Sequence, residues 1–122
     1  DGVVAFRIEA GGRSMVFATD VEHGERLNPA LVALARGCDL LIHDAQYDDA
    51  EYRGIGGPPR KGWGHSTWQE GVRLAEAAGV KTLVIFHHDP EHDDDRMDAI
   101  AEAAEAMRPG TIVAREGMDL RI

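Results

Sequence analysis

Histidines and aspartates fall where the hydrophobic runs of this chain end. Thr82–Phe86 is an apolar run long enough for a buried strand and too short for a helix. It leads straight into His87 and His88, followed by Asp89, Pro90, His92 and the aspartates 93–95. Phe17-Ala18-Thr19 ends in Asp20, Leu40-Leu41-Ile42 ends in His43, and His65 precedes Ser66-Thr67 at the start of a helical pattern. Imidazole nitrogen and carboxylate oxygen together suit a borderline divalent ion such as zinc, manganese or iron. A carboxylate can also bridge two cations.

Each of these residues has an ordinary structural reading beside the chemical one. Asp20 is a common turn or capping type, His43-Asp44 could be a plain strand exit, and His65 could simply precede a helix cap. Two adjacent imidazoles at the end of a buried strand are harder to explain as a turn. His23 and His92 read as solvated loop residues, and aspartates 93–95 as helix-capping acids without the spacing of a calcium loop. The glycines at 54–57 lack the lysine and serine/threonine placement of a phosphate-binding loop.

The elements that must position these groups alternate. Residues 3–9 and 14–19 flank Gly11-Gly12 as a hairpin. Asn28-Pro29 opens a helix over 30–36 that Gly37 stops. Residues 39–42 form the next strand. Residues 45–64 show little periodicity and predict a long loop, glycine- and proline-rich at its end. Thr67 and Glu70 predict a capping box for a helix reaching Ala78. After Thr82–Phe86, a helix is expected from 93–95 to Met107, then two short strands at 111–115 and 118–122. The fold class is α/β, with a mixed sheet covered by helices. Parallel strands deliver their carboxyl ends to one edge, where Asp20, His43 and His87 would meet.

At 122 residues and 13.3 kDa the chain is one domain or part of one. It starts without methionine, at Asp1, and enters a strand-like run almost at once, which predicts that it continues a longer fold. Thirteen basic against 22 acidic residues leave a formal charge of −9, which argues against a broad nucleic-acid footprint. The single cysteine, Cys38, sits in an apolar run and reads as a buried, inert thiol. No membrane span or signal peptide is visible, so a cytoplasmic setting is expected.

These segments resemble the metallo-β-lactamase-fold hydrolases, and more narrowly the phosphodiesterase-like branch that includes the tRNA 3′-processing endonucleases. FATD, ending in Asp20, is similar to the strand whose aspartate bridges two metals. LIHDAQY (41–47) resembles the branch's strand-end His-acid-Ala segment, GHST (64–67) its His-Ser-Thr segment, and LVIFHHDP (83–90) the strand with the last histidine ligand. The resemblance implies Asp20 and His87 as metal ligands, with His88 a neighbour rather than a ligand. It implies His43 and His65 as catalytic residues and Tyr47, Lys61 and Trp63, with Tyr52 and Arg60, at the substrate. It further implies two divalent metal ions, zinc first with iron or manganese as alternatives, and a metal-bound hydroxide attacking a small phosphodiester. The family's His-x-His-x-Asp-His signature and the separate histidine after it are absent. Residues 1–122 therefore resemble the C-terminal half of an αββα sandwich. An N-terminal half, as a cleaved fragment or a separate chain, would supply the remaining ligands. The competing expectation is a non-catalytic half-domain, a metal-binding or assembly module, with its uncovered face open to a second copy of the chain.

Overall fold

The computed structural model describes residues 2–122; the reading attached to Asp1 lies outside the described residues. β1 (Phe6–Ala10) and β2 (Arg13–Ala18) form an antiparallel hairpin in which Ala10 faces Arg13. Gly11 and Gly12 turn it with φ of 57° and 75°, the consecutive left-handed pair that a tight type I′ hairpin needs. The first strand begins later than the apolar run: Val3 and Val4 are exposed and lie outside the ladder.

Asn28 caps α1 (Pro29–Ala35), its side chain accepting from the amides of Ala30 and Leu31. The chain continues through β3 (Leu40–Asp44), α2 (Asp49–Arg53), α3 (Trp68–Ala78), β4 (Thr82–Phe86), α4 (Asp94–Met107) and β5 (Ile112–Val113). The strands stand in chain order, β1-β2-β3-β4-β5, antiparallel in the hairpin and parallel from β2 onward. Right-handed crossovers between successive parallel neighbours bring every connecting helix to the same side of a sheet.

The sheet consequently has two unlike faces. Val16, Ala18, Leu41, Leu83 and Ile85 pack with Leu31 and Ala35 of α1, Val72, Ala75 and Ala78 of α3, and Ile100 and Ala104 of α4. The alternate residues pair across the other face: Phe6 with Phe17, Ile8 with Met15, Phe17 with Ile42, and Ile42 with Val84. Phe6 is 56% exposed, Ile8 52% and Phe86 38%. The architecture is the expected mixed sheet with helices, here on one side only.

Three local expectations are corrected. Within residues 45–64 the chain folds α2: Asp48 and Glu51 make a reciprocal capping box, and Gly54 ends the helix at φ 84°. The helix carries no buried residue, so no apolar stripe announces it. At α3, Thr67 Oγ1 accepts from the Glu70 amide, but the Glu70 carboxylate turns to Arg73 at 3.5 Å instead of returning to the cap. Residues 118–122 do not join the sheet; Leu120 and Ile122 are exposed. Among the described residues, no helix is long and apolar enough to cross a membrane.

Candidate metal centre

Along β3 the side chains alternate between faces. His43 falls on the helix-covered side, and Asp44 ends the strand on the other. The Asp44 carboxylate is fully buried. Its Oδ2 accepts from the Asp20 amide at 2.8 Å and from His65 Nδ1 at 2.9 Å, and its Oδ1 from the amides of Ser66 at 3.0 Å and Gln46 at 3.3 Å. A buried carboxylate is costly unless donors surround it, and four do. Asp44 thereby ties together the ends of β2, β3 and the chain entering α3.

Around this anchor the donor atoms of Asp20, His65 and His87 lie within 4.8 Å of one another. His65 stacks on His87 with ring centroids 4.9 Å apart. His87 Nε2 is 3.8 Å from Asp20 Oδ1, and its Nδ1, buried without a hydrogen bond, faces Asp44 Oδ2 at 3.6 Å. Because Asp44 occupies His65 Nδ1–H, the free lone pair of that ring is on Nε2. A carboxylate behind an imidazole, orienting it and raising its basicity, is the usual second layer of a metal site. Asp20 and His87 are the only non-glycine residues with positive φ among those described, at 55° and 63°. Asp and His are among the residues that enter this region most readily, and here it turns two donors that follow different strands toward each other. The clustered imidazole and carboxylate donors and the Asp44 carboxylate behind both His65 and His87 fit a divalent cation.

The structure brings together three of the four histidines and acids expected at the sheet edge; His43 is not among them. Its ring stacks on His23 on the helix side, 5.2 Å between centroids. The partners assign the tautomers. His43 Nδ1–H donates to the Asp44 carbonyl at 2.7 Å, and His23 Nδ1 accepts from the Asn28 amide at 3.0 Å. His23 Nε2–H therefore donates to His43 Nε2, at 3.0 Å. Burial, and for His43 the neighbouring His23, push the two rings down to about 4 and about 3. Gly71 of α3 lies against this ring: a Cβ there would stand 3.2 Å from His43 Nδ1.

Tyr47 is buried with its ring edge-on to His65, 6.2 Å between centroids, and it forms a β-bridge with Thr67. Lys61 and Trp63 are exposed on the loop between α2 and α3. Glu22 fastens that loop, accepting from Tyr52 Oη at 2.6 Å and from the amides of Gly62 and Gly64 at 2.8 and 2.9 Å. Burial opposes ionisation of Glu22, yet these bonds hold its carboxyl below the ordinary value. Burial and Glu22 push Tyr52 up to about 12. His23 and His92, expected in solvent, are not there: His23 packs on His43, and the His92 side chain is 7% exposed with Nε2 3.0 Å from Glu51. Sequence reading passed over Asp44 and Glu22. Strict two-residue alternation after His43 is the signal that could have found Asp44; nothing local marks Glu22.

A model of the β-lactamase superfamily domain matches residues 2–88. The chain belongs to this superfamily, and its fold is that of the metallo-β-lactamases. It is 34% identical over 109 residues to ribonuclease Z of Brevibacillus brevis, covering 84% of this chain and 31% of that protein. Ribonuclease Z of Pseudomonas putida strain F1 is 35% identical over 101 residues, covering 78% and 30%. Among solved structures, Zn(2+)-bound PqqB from Methylobacterium extorquens superposes with a TM-score of 0.66 at 24% identity, covering 95% of this chain and 42% of that one. Human tRNase Z, short form, gives 0.63 at 23%, covering 93% and 36%. The chain thus spans about a third of the length of the curated relatives it matches.

Proposed function

We propose that residues 1–122 are the C-terminal half of a metal-dependent phosphodiesterase. The observation that carries this is the convergence of Asp20, His65 and His87 on the buried carboxylate of Asp44. The ribonuclease Z relatives support phosphodiester hydrolysis as the reaction. Asp20 and His87 would hold divalent ions, two in the completed site and zinc by preference, with iron or manganese as alternatives. Such an ion, when bound, polarises the substrate and brings the pKa of water from 15.7 to about 7. His65, oriented through Nδ1 by Asp44, presents Nε2 to the substrate. As the imidazolium, with a proton on Nε2 as well, it would give that proton to the leaving oxygen and return to the Nδ1–H tautomer that Asp44 holds. His43, with both nitrogens engaged on the helix side, supports the strand end rather than touching substrate. Lys61 and Trp63 would border the substrate, whereas Tyr47, expected there, is buried and backs the His65 ring instead. A cytoplasmic setting goes with this reading.

The remaining ligands would arrive on an N-terminal half packed over the open sheet face at Phe6, Ile8, Phe17 and Phe86. Three donors could alternatively hold one ion without turnover, the behaviour expected of a binding or assembly module. Native mass spectrometry of the purified protein in zinc, followed by hydrolysis of bis(4-nitrophenyl) phosphate, separates the two. The expected result is retained zinc, a co-purifying polypeptide and turnover, with zinc retention and turnover both lost in Asp20→Ala and His87→Ala. Zinc without turnover in the completed assembly supports the binding module. Variants that leave metal content and turnover unchanged overturn the metal centre.

A further inference from the structure

Arg60 stands apart from the other cations of the chain. Arg26, Arg36, Arg53, Lys61, Arg115 and Arg121 also make no ion pair among the described residues, but all are exposed. Arg60 is half-buried, and its guanidinium carbon lies 4.6 Å from the centroid of Trp63 and 5.6 Å from that of Tyr47. Two aromatic faces hold the cation in one place. Its Nε is buried without a hydrogen-bond partner, and no side chain among those described accepts from its other nitrogens.

The loop that carries it is a built feature. The Arg60 amide donates to the Tyr52 carbonyl at 3.0 Å, and the Trp63 amide donates to the Arg60 carbonyl at 3.1 Å. Glu22 then pins Tyr52, Gly62 and Gly64 on either side of the turn. Glu22 is thus committed to the loop backbone, and in a chain of charge −9 the guanidinium is still left with no carboxylate. An oriented, partly dehydrated guanidinium without an acid partner is matched to an oxyanion brought by a ligand, since its planar fork pairs bidentately with phosphate.

We infer that Arg60 binds a phosphate of the substrate other than the one cleaved. Tyr47 links the two places: its ring centroid is 5.6 Å from the guanidinium carbon and 6.2 Å from the centroid of His65. Arg60 makes no hydrogen bond or ion pair with the Asp20–His65–His87 cluster and meets it only through Tyr47. A phosphate seated on the guanidinium is therefore a second one, and the substrate class is one with two neighbouring phosphates. Trp63, 54% exposed, leaves surface beside Arg60 for a flat group on the same ligand. This deepens, and rests on, the reading of that cluster as a phosphodiesterase centre.

The test is titration of the zinc-treated protein with adenosine 3′,5′-bisphosphate, with adenosine as the control. It is followed by the tryptophan emission, to which exposed Trp63 and buried Trp68 both contribute. Zinc binding is measured separately by calorimetry. Arg60→Ala should weaken bisphosphate binding by about tenfold or more, as for a lost charge-assisted pair. Arg60→Lys should recover part of it, and neither variant should change zinc affinity or the response to adenosine. Equal bisphosphate affinity in Arg60→Ala and parent overturns the inference, as does a zinc-binding parent that ignores the bisphosphate. If the parent binds no zinc but still binds bisphosphate through Arg60, the metal centre falls and the anion site stands.

Discussion

Asp44 Oδ2 accepts both the side chain of His65 and the backbone amide of Asp20, at 2.9 and 2.8 Å. One oxygen thus sets the orientation of an imidazole and the backbone of a second donor, while its partner Oδ1 holds the Ser66 and Gln46 amides. The position of both donors depends on one carboxylate that is itself fully buried.

Asp44→Asn should therefore behave differently from loss of a ligand. The amide keeps the shape but presents N–H where a carboxylate oxygen now accepts, leaving buried donors facing a donor. A cost of about 2–4 kcal/mol follows from stranding such groups, together with a 10–100-fold drop in metal affinity from the lost support, as is typical for such orienting partners. Asp20→Ala, at a side chain 57% exposed, should abolish metal binding with a far smaller change in stability. Urea denaturation beside zinc calorimetry on the two variants checks this; equal stability losses would contradict it.

The positive φ of Asp20 and His87 gives a second expectation. At each position glycine should be more stable than alanine by about 1 kcal/mol, because alanine retains the left-handed strain and glycine does not. The order is the reverse of that in a helix interior. Both members of each pair should lose the metal, so the comparison isolates backbone strain from ligation. Thermal melts of Asp20→Ala against Asp20→Gly, and His87→Ala against His87→Gly, read it directly.

What could be read from the sequence at this edge was the place of each strand end, because β-branched runs stopping at His and Asp set both the element and its last residue. Asp20 and His87 are placed that way, and His65 by its position before the Ser66-Thr67 that opens α3. His43 was found by the same rule and yet faces α3, since adjacent strand residues point apart and only Asp44 could face the cluster. The His23–His43 stack depends on how residues 19–28 return across the helix face, a tertiary path that no local pattern encodes. His92 likewise meets Glu51 only because α4 and α2 come together, with Arg96 ion-paired to Asp48. The helix α2 was hidden for another reason: its signal is a cap and a stop, Asp48, Glu51 and Gly54, with no buried stripe between them.

The stacked pair should make the fold acid-sensitive. His23 and His43 are pushed down to about 4 and about 3 in the folded chain, against about 6.5 when unfolded. Below pH 6.5 the unfolded state takes up protons that the folded state refuses, so stability falls as pH falls toward 4. The slope reaches about 1.4 kcal/mol per pH unit for each ring that stays neutral. Urea midpoints between pH 4.5 and 7.5 should therefore decline below 6.5 and level off above it, with a shallower decline in His23→Gln. A flat profile in the parent would mean that the rings take up protons without unfolding.

Gly71 provides the sharpest test of where His43 belongs. Alanine in a helix interior is ordinarily favoured over glycine by about 1 kcal/mol. Here its methyl would stand 3.2 Å from His43 Nδ1, and that ring has little freedom to retreat, since Nδ1 is bonded to the Asp44 carbonyl and Nε2 to His23. Gly71→Ala should consequently destabilise by about 1–2 kcal/mol, the usual cost of overpacking, despite the gain in helix propensity. In a His43→Ala background, with the ring removed, the same substitution should become neutral or stabilising. A double-mutant cycle by urea denaturation measures this coupling. A coupling near zero would mean that the ring moves aside freely, and the helix-side position of His43 would lose its structural reason.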